Sequence, residues 1–420
     1  SKRNMPYYLS MGCIGTAIVV LPAGMSRSAW IAVVVSCAWV YALYRLDRKQ
    51  AATRLRQHKR WYIIGGILGG ILLLGGSASL YTLKKDSADG RFLMWKITTK
   101  AIQKQPITGT SLGGFPAAYA ETQAEYMASG KATEQEKLVA GCPEYAFNEY
   151  LQIGLEQGLV GLALFIGWLG LLFYKGIKNK RYACCGGLMS LAIFAFSSYP
   201  LQLPEFWVVL IFLGVMSVTP DKDEIRENQA ESNGHRWGKQ IFFMGIAILG
   251  IGLFWMQKDH YKAYQQWNKA QMYYKNKAYE AALEVYEPLY PLLKHKPEFL
   301  FEAAQSLSKT GQYEKANEYL ERAVLLSSDP MLYYVMAKNE QCLGEYRQAE
   351  KHLLHAIDIL PERIYPYYLL MNLYTEPSYF QPAKLKMAID SVLTKKPKVE
   401  SSAIKEMKEK ARSMLNNTSI

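Results

Sequence analysis

The distribution of apolar residues constrains the fold of this chain more than any other feature. Residues 1–256 contain repeated apolar runs of membrane-spanning length, whereas residues 257–420 contain none. A helix needs about 20 apolar residues to cross a bilayer, or fewer when it tilts or packs against neighbours. The predicted spans are Met5–Ala23, Ala29–Tyr44, Trp61–Leu83, Leu151–Tyr174, Ala183–Tyr199, Phe206–Val218 and Ile241–Met256.

The net charge of +13 is concentrated in short loops between these spans. Seven basic residues lie between Arg45 and Arg60, and four lie between Lys175 and Arg181. Basic loops stay on the cytoplasmic side of a membrane. This rule predicts that the loop 84–150 and everything after Gln257 are periplasmic. Because the charge lies in these loops, it argues against nucleic acid as a partner and indicates membrane lipids.

The six cysteines are scattered, and their spacing matches neither a disulfide framework nor a set of metal ligands. We therefore expect no metal site and no cofactor. The chain begins with Ser1, directly before Lys2, Arg3 and an apolar run, and no cleavable signal follows. We expect it to be a fragment whose upstream helices are absent.

A tyrosine recurs through the C-terminal part at intervals of 34, 33 and 33 residues, at Tyr279, Tyr313, Tyr346 and Tyr379. Alanines follow the first three tyrosines by three positions, glycines precede two of them by two positions, and prolines recur at similar intervals. The pattern resembles the tetratricopeptide repeat, a helix–turn–helix unit of about 34 residues. We expect three clear repeats, a degraded fourth that contains Pro382, and a lysine-rich capping helix. A protein partner is expected to bind the repeats.

The most informative segment runs from Glu144 to Gly161 and leads into an apolar span. On a helical wheel, its polar residues Asn148, Glu149, Gln152 and Glu156 fall within one arc of about 100°. Gly154, Gly158 and Gly161 fall on the opposite side. Carboxylates this close to hydrocarbon are costly unless they face a protein interior or a watery cavity. We expect one face to pack against a neighbouring helix and the other to line a polar chamber.

This segment resembles the signature of the bacterial O-antigen ligase and polymerase family. In that signature, a histidine is followed by Asn, Ser or Gln, then nine residues, a glycine, two residues and a second glycine. Asn148, Gly158 and Gly161 match in type and spacing, but Phe147 takes the place of the histidine. In the ligases this histidine is the proposed general base, so the substitution bears on mechanism.

Two arginines lie in further elements similar to those of the family. Arg27 stands in Met-Ser-Arg-Ser-Ala-Trp, and Arg91 precedes an amphipathic segment that leads to a glycine-rich passage ending at Phe115. Asp89-Gly90 resembles a helix start, so we expect Arg91 in the first turn, beside free amides that suit a diphosphate. The resemblance implies that both arginines neutralise a diphosphate leaving group. Alternatively, Arg27 is an interfacial anchor and Arg91 pairs with Asp89 or a lipid headgroup.

The general base has to be another residue, because Phe147 cannot accept a proton. The ionisable residues near it are Glu144, Tyr145 and Glu149, and only Glu149 lies on the polar arc. We therefore predict Glu149 as the catalytic base, with a structural pairing to Arg27 or Arg91 as an equal alternative. The predicted substrate-binding residues are Arg27, Arg91, Asn148 and Tyr145, gathered around one cavity.

Two other parts of the loop 84–150 carry expectations of their own. Lys96, Lys100 and Lys104 recur on one side of a helix and are expected to form a solvated or lipid-facing row. The acidic segment from Glu121 to Glu144 is expected to be mostly a mobile flap.

The expected fold class is all-α: a polytopic, GT-C-like transmembrane bundle followed by tetratricopeptide repeats. The expected parts are a ligase-like membrane domain (1–218) with a periplasmic loop (84–150), a cytoplasmic linker (219–240), a last span (241–256) and a periplasmic repeat domain (257–420). The location is the bacterial inner membrane.

The resemblance implies transfer of a glycan from an undecaprenyl-diphosphate carrier to an acceptor hydroxyl on the periplasmic face, with inversion and without a metal. The acceptor is lipid A core or a protein hydroxyl. The alternatives are a protein O-oligosaccharyltransferase or a polysaccharide polymerase of the same family. A third is a non-catalytic repeat scaffold for glycan assembly.

Overall fold

The computed structural model describes residues 5–23, 26–47, 85–219, 236–397 and 399–417, and every regular element in these ranges is helical. The all-α prediction is confirmed for this part of the chain. Its helices are α1 (Met5–Ala23), α2 (Arg27–Asp47), α3 (Lys85–Lys104), α4 (Phe115–Ala128), α5 (Glu134–Val139), α6 (Glu149–Glu156), α7 (Gly158–Lys178), α8 (Tyr182–Phe196), α9 (Pro204–Val218), α10 (Arg236–Met256), α11 (Lys258–Lys275), α12 (Tyr279–Leu293), α13 (Pro297–Lys309), α14 (Tyr313–Val324), α15 (Met331–Leu343), α16 (Tyr346–Ile359), α17 (Ile364–Tyr374), α18 (Pro382–Thr394) and α19 (Ser402–Asn417). The predicted span Trp61–Leu83 and most of the linker 219–240 lie outside the described residues.

Contacts divide the chain into two compact units. The first comprises residues 1–88, 106–109 and 145–233, and the second comprises residues 89–105, 110–144 and 234–420. Most of the segment between the third and fourth predicted spans therefore groups with the repeats.

In the first unit, α8 packs against α2, α7 and α9 around a core that includes Leu172, Leu188 and Leu210. Two segments, Ser28–Arg45 and Gly158–Lys178, are long and apolar enough to cross a membrane, and only 11% of each is buried. A core helix of a water-soluble protein would bury most of its apolar surface, so these outward apolar faces suit lipid. The structure supports membrane association at these two helices, while the polytopic bundle stays a prediction.

The helix expected to start at the polar arc and continue through the membrane is interrupted, which was not predicted from the sequence. One continuous span was expected over Leu151–Tyr174, but α6 ends at Glu156 and α7 begins at Gly158. Gly158 has a φ of +71°, in the left-handed region that breaks a right-handed helix. The helical wheel is therefore valid within α6 and fails beyond Gln157. The predicted common face of Gly154, Gly158 and Gly161 is wrong for this reason.

In the second unit, α11 to α18 form successive antiparallel pairs, which confirms the repeat prediction. Three of the periodic tyrosines begin the second helix of a pair, and the alanines three positions later are fully buried where the paired helices cross. Gly311 and Gly344 adopt φ values of +81° and +80° in the turns. The buried alanines are small enough to let the paired helices approach closely.

The degraded fourth repeat still forms a helix pair, α17 and α18. Pro382 is the first residue of α18, where its missing N–H costs nothing, so it starts the helix rather than interrupting it. The lysine-rich tail forms α19, which packs against α18 and buries Ala411 completely. This helix covers the end of the array, as expected for a cap.

The expected flap over residues 121–144 is wrong, because α4 packs against the repeat helix α16. The Gln123 side chain is fully buried and donates to the carbonyl oxygens of Gly141 at 3.0 Å and Ile359 at 2.8 Å. The Tyr119 hydroxyl donates to the Gln123 amide oxygen at 2.7 Å. At the margin, Glu121 lies 3.4 Å from the His355 imidazole. A buried amide with both ends bonded fixes α4 to the repeats.

Replacing Gln123 tests this attachment. Gln123→Leu keeps the side-chain volume but leaves two carbonyls and one hydroxyl without their partner, which should cost about 2–3 kcal/mol locally. Hydrogen–deuterium exchange at the amides of α4 in the full chain measures this cost. The control is Gln135→Leu, which removes one exposed hydrogen bond to Asp89 and should change exchange by less than about 0.5 kcal/mol. Equal protection of α4 in the two variants would contradict the attachment.

Candidate functional site

Asn148 caps the N-terminus of α6. Its backbone is extended, and its side-chain oxygen accepts hydrogen bonds from the N–H groups of Tyr150 at 3.0 Å and Leu151 at 3.1 Å. Asparagine is among the best residues for this position because its short side chain reaches the first free amides. The structure thus gives the first matching residue of the signature a defined local role, in a side chain that is only 4% exposed.

Glu149 directly follows the cap and is 1% exposed. One carboxylate oxygen accepts from the Leu201 N–H at 2.6 Å and the other accepts from the Gln202 side-chain amide at 3.1 Å. Burial raises the pKa of the Glu149 carboxyl, while the Gln202 and Leu201 donors act in the opposite direction. Glu149 therefore anchors the short 3₁₀ turn Pro200–Gln202 to the start of α6.

The remaining members of the polar arc bond with one another and with the backbone. Gln152 accepts from the Ala146 N–H at 2.8 Å and donates to Glu156 at 3.0 Å, and both side chains are at least nine-tenths buried. We expected these side chains to line a polar chamber, and for Gln152 and Glu156 this expectation is wrong. These groups face the protein interior, where hydrogen bonds to one another offset the cost of burial.

Aromatic rings gather beside the cap. The Tyr145 ring stacks on Tyr199 at 5.2 Å between centroids, and Phe147 meets Tyr199 edge-on at 4.8 Å. Phe147 has a φ of +50°, a left-handed conformation that is uncommon for a bulky residue and is found mostly where the surrounding structure enforces it. The position of the family histidine is therefore a strained turn next to an aromatic surface.

The glycine at position 158 is required by a close backbone approach. A Cβ on Gly158 would lie 2.0 Å from the carbonyl oxygen of Ile107, and the N–H of Leu159 donates to Pro106 at 2.7 Å. A Cβ on Gly109 would in turn lie 2.5 Å from the backbone of Glu156. The passage 106–109 therefore lies against the break between α6 and α7, in the same unit.

Gly158→Ala should destabilise the first unit by more than about 2 kcal/mol, because it adds both a clash and an unfavourable φ. The matched control is Gly167→Ala, further along α7, where a Cβ meets nothing within 4 Å and alanine favours the helix. Thermal unfolding in phosphatidylcholine nanodiscs, followed by tryptophan fluorescence, measures both. A Gly158→Ala protein as stable as the Gly167→Ala protein would show that this approach is not needed.

Arg91 lies in the second turn of α3, not in the first as expected, because the helix begins at Lys85. The first-turn amides are therefore not beside it. Leu93, Ile97 and Ala101 are buried, and their face packs within the protein rather than on a membrane surface. Arg91 itself is half-buried.

The three lysines on α3 are exposed, which fits the expected solvated row, and two of them also form ion pairs. Lys96 contacts Glu136 at 2.7 Å and donates to the Tyr126 hydroxyl at 2.6 Å, and Lys104 contacts Glu125 at 2.6 Å. The hydrogen bonds to Glu136 and Tyr126 raise the pKa of Lys96. These contacts tie α3 to the helices that follow it.

Arg27 is the first residue of α2, and its side chain lies outside the described part of the structure. Of the other predicted residues, Tyr145, Asn148 and Glu149 lie side by side in the first unit, while Arg91 belongs to the second. The gathering of both arginines around one cavity stays a prediction.

The partners of Glu149 and the neighbouring aromatic residues were not predicted from the sequence. Leu201 and Gln202 lie 52 and 53 positions further along the chain. Their only signal is the pair of prolines, Pro200 and Pro204, that marks a turn after a span. A turn pattern gives no information about which side chain it contacts.

A protein-family model described as O-antigen ligase matches residues 12–166. The resemblance read from the signature is confirmed. The match spans the signature and both arginines, and it covers less than half of the chain. A second model, described as anaphase-promoting complex, cyclosome, subunit 3, matches residues 275–356, within the helical repeats.

Among solved structures, the chain is similar to MamA residues 41–end from Desulfovibrio magneticus RS-1, with 19% identity and a TM-score of 0.30 over 38% of this chain and 98% of that one. It is also similar to the MamA ArsTM double mutant of RS-1, with 20% identity and a TM-score of 0.30 over 38% of this chain and 97% of that one. No curated protein matches the chain.

Proposed function

We propose that this chain is a membrane glycosyltransferase of the O-antigen ligase type. It would transfer a glycan from an undecaprenyl-diphosphate carrier to an acceptor hydroxyl at the periplasmic face of the inner membrane. The observation that carries the proposal is the signature, which lies within the matched residues 12–166. Two of its matching positions also have demanding local roles, since Asn148 caps a helix and Gly158 admits the backbone of Ile107.

In this proposal Arg27 and Arg91 bind the diphosphate. A guanidinium presents a fork of donors that matches phosphate oxygens, and it stabilises the negative charge that grows on the leaving group. Asn148 would contribute through its amide nitrogen, because the helix cap uses only the amide oxygen. Tyr145, stacked on Tyr199, would offer a ring face to the glycan or acceptor.

Glu149 is the proposed base in place of the family histidine. A carboxylate has about four lone-pair positions, and the donors from Leu201 and Gln202 do not use all of them. The raised pKa suits a base that works near neutral pH. Since the side chain is 1% exposed, the turn that carries Tyr199 and Gln202 has to move before an acceptor hydroxyl reaches the carboxylate.

The acceptor determines which member of the family this is. A protein O-oligosaccharyltransferase or a polysaccharide polymerase would use the same donor chemistry. The non-catalytic scaffold has an observation in its favour, because Phe147 is not basic and both oxygens of Glu149 already hold a turn in place. Variant proteins decide between the scaffold and the enzyme.

Variants at the proposed site should separate binding from chemistry. Glu149→Gln should lower transfer by on the order of 10²–10⁴ if the carboxylate is the base. Arg91→Ala should abolish transfer and Arg91→Lys should not restore it, since lysine lacks the fork. Phe147→Ala and the surface change Arg347→Ala should cost much less. Glycan profiling of lipopolysaccharide and glycoproteins in a complemented deletion strain measures the outcome.

Thermal stability has to be measured beside activity, because Glu149 also holds the 3₁₀ turn. Full transfer by a stable Glu149→Gln protein would rule out the base assignment. Transfer lost together with stability would assign Glu149 to structure alone. A wild-type chain that gives no transfer with any donor would favour the scaffold.

The topology has a test that uses a native residue. Cys342 is exposed on a repeat helix, so an impermeant maleimide should label it in intact cells whose outer membrane is permeabilised. The other five cysteines are first changed to serine or alanine. A cysteine placed at Ser232, in the linker predicted to be cytoplasmic, serves as the control and should stay unlabelled until the cells are lysed. The reverse pattern would invert the topology.

A further inference from the structure

A cavity of about 750 Å³ lies within the second unit, between residues 142–144 and the repeat helices α13, α15 and α17. Its volume is in the range that holds a few side chains of a ligand. The wall from the loop is fixed in place, because the Ser328 hydroxyl donates to the Pro143 carbonyl at 3.1 Å and Gln123 donates to Gly141. The cavity is therefore built in the folded unit before any ligand arrives.

Acidic side chains dominate the ionisable groups around this cavity. Glu144, Glu298, Glu302 and Asp329 line it, and Arg363 is the one basic residue among its lining residues. Two of the acids have a local explanation, because Glu298 lies in the first turn of α13 and Asp329 accepts from the N–H of Met331, the first residue of α15. Glu144 and Glu302 do not lie at the start of α13 or α15, so this explanation does not apply to them. The imbalance at this cavity opposes the net positive charge of the chain.

The Glu302 side chain is held within the repeat packing by three hydrogen-bond donors. It accepts hydrogen bonds from the Trp267 indole at 2.7 Å, the Gln271 amide at 2.9 Å and the Tyr286 hydroxyl at 3.1 Å. All three donors are neutral, so they orient the carboxylate without cancelling its charge. A cleft with walls of one sign concentrates its field on a ligand of the opposite sign.

Tyr334 provides an independent sign of a ligand site. The residue is 4% exposed and lines the cavity. Among the described residues, every fully buried polar side-chain atom has a hydrogen-bond partner. The Tyr334 hydroxyl has no partner there, so this atom is not fully buried. The hydroxyl is therefore open to the cavity. Burial and, to a smaller extent, Cys142 raise the pKa of Tyr334, so the group stays neutral and can donate or accept.

We infer that this cavity binds a lysine- or arginine-bearing peptide segment of a partner protein. The four carboxylates complement its charge, the Tyr334 hydroxyl accepts one of its N–H groups, and the ring of Phe301 can take its cation on its face. The Tyr365 ring is already taken, because Lys338 of the same chain lies over it at 5.3 Å and donates to its hydroxyl at 2.7 Å. An anionic glycan is disfavoured by the same carboxylates. The inference goes beyond glycan transfer and holds whether or not the chain is an enzyme.

Fluorescence anisotropy with the full chain in phosphatidylcholine nanodiscs tests the inference. The probes are two eight-residue peptides that differ only in carrying four lysines or four glutamates, and these neutral lipids attract neither by charge. The lysine peptide should bind at least about tenfold more tightly, and its affinity should fall as salt rises. The double variant Glu144→Gln, Glu298→Gln should weaken it about tenfold, and Tyr334→Phe about three- to tenfold.

Glu314→Gln is the matched control, because Glu314 lies in the first turn of α14 as Glu298 does in α13, but outside the cavity. It should leave the affinity unchanged. Thermal unfolding of each variant identifies any that fail to fold. Equal affinity for the two peptides, an equal loss in the Glu314→Gln control, or binding of a neutral oligosaccharide instead of the lysine peptide would overturn the inference.

Discussion

The buried side chain of Gln123 connects the parts of the second unit. It donates to Ile359, the last residue of α16, whose carbonyl has no partner within the helix. It donates as well to Gly141, in the loop that leads towards the signature. One amide thus satisfies a helix end and a loop at the same time. Since both carbonyls would be costly to leave unpaired in the interior, Gln123 couples the packing of α4 to that of the repeat array.

This connection gives the repeats an internal role beside any external one. Lys96 on α3 contacts Tyr126 on α4 and Glu136 on α5, and α4 is held to α16 through Gln123. The helix that carries Arg91 is therefore braced against the repeat array through a continuous chain of contacts. The repeats therefore help to hold the position of α3 within the second unit.

Structural features that depend on a local sequence pattern were predicted, and features that depend on contacts between distant residues were not. The periodic tyrosines and alanines predicted the helix pairs because each repeat depends mainly on its neighbours. The signature was found because its residue types and spacing are visible in the sequence, and Asn148 also has a local role as a helix cap. The pairing of Gln123 with Ile359 spans 236 positions and carries no pattern. The same holds for Glu149 and Leu201, and the break at Gln157 depends on the passage of Ile107, which no helical wheel contains.

The replacement of the family histidine can be understood from the backbone at position 147. The Ala146 N–H is bonded to Gln152 and Asn148 caps α6, so the chain between them is forced into a left-handed turn. Histidine is among the residues enriched in that conformation, whereas phenylalanine is disfavoured there. The edge-on contact of Phe147 with Tyr199 offsets part of the strain. The spacing of the signature is therefore present in this chain with an aromatic contact at the position of its basic group. The carboxylate beside this turn is Glu149, which is bonded to Leu201 and Gln202 in the same segment as Tyr199.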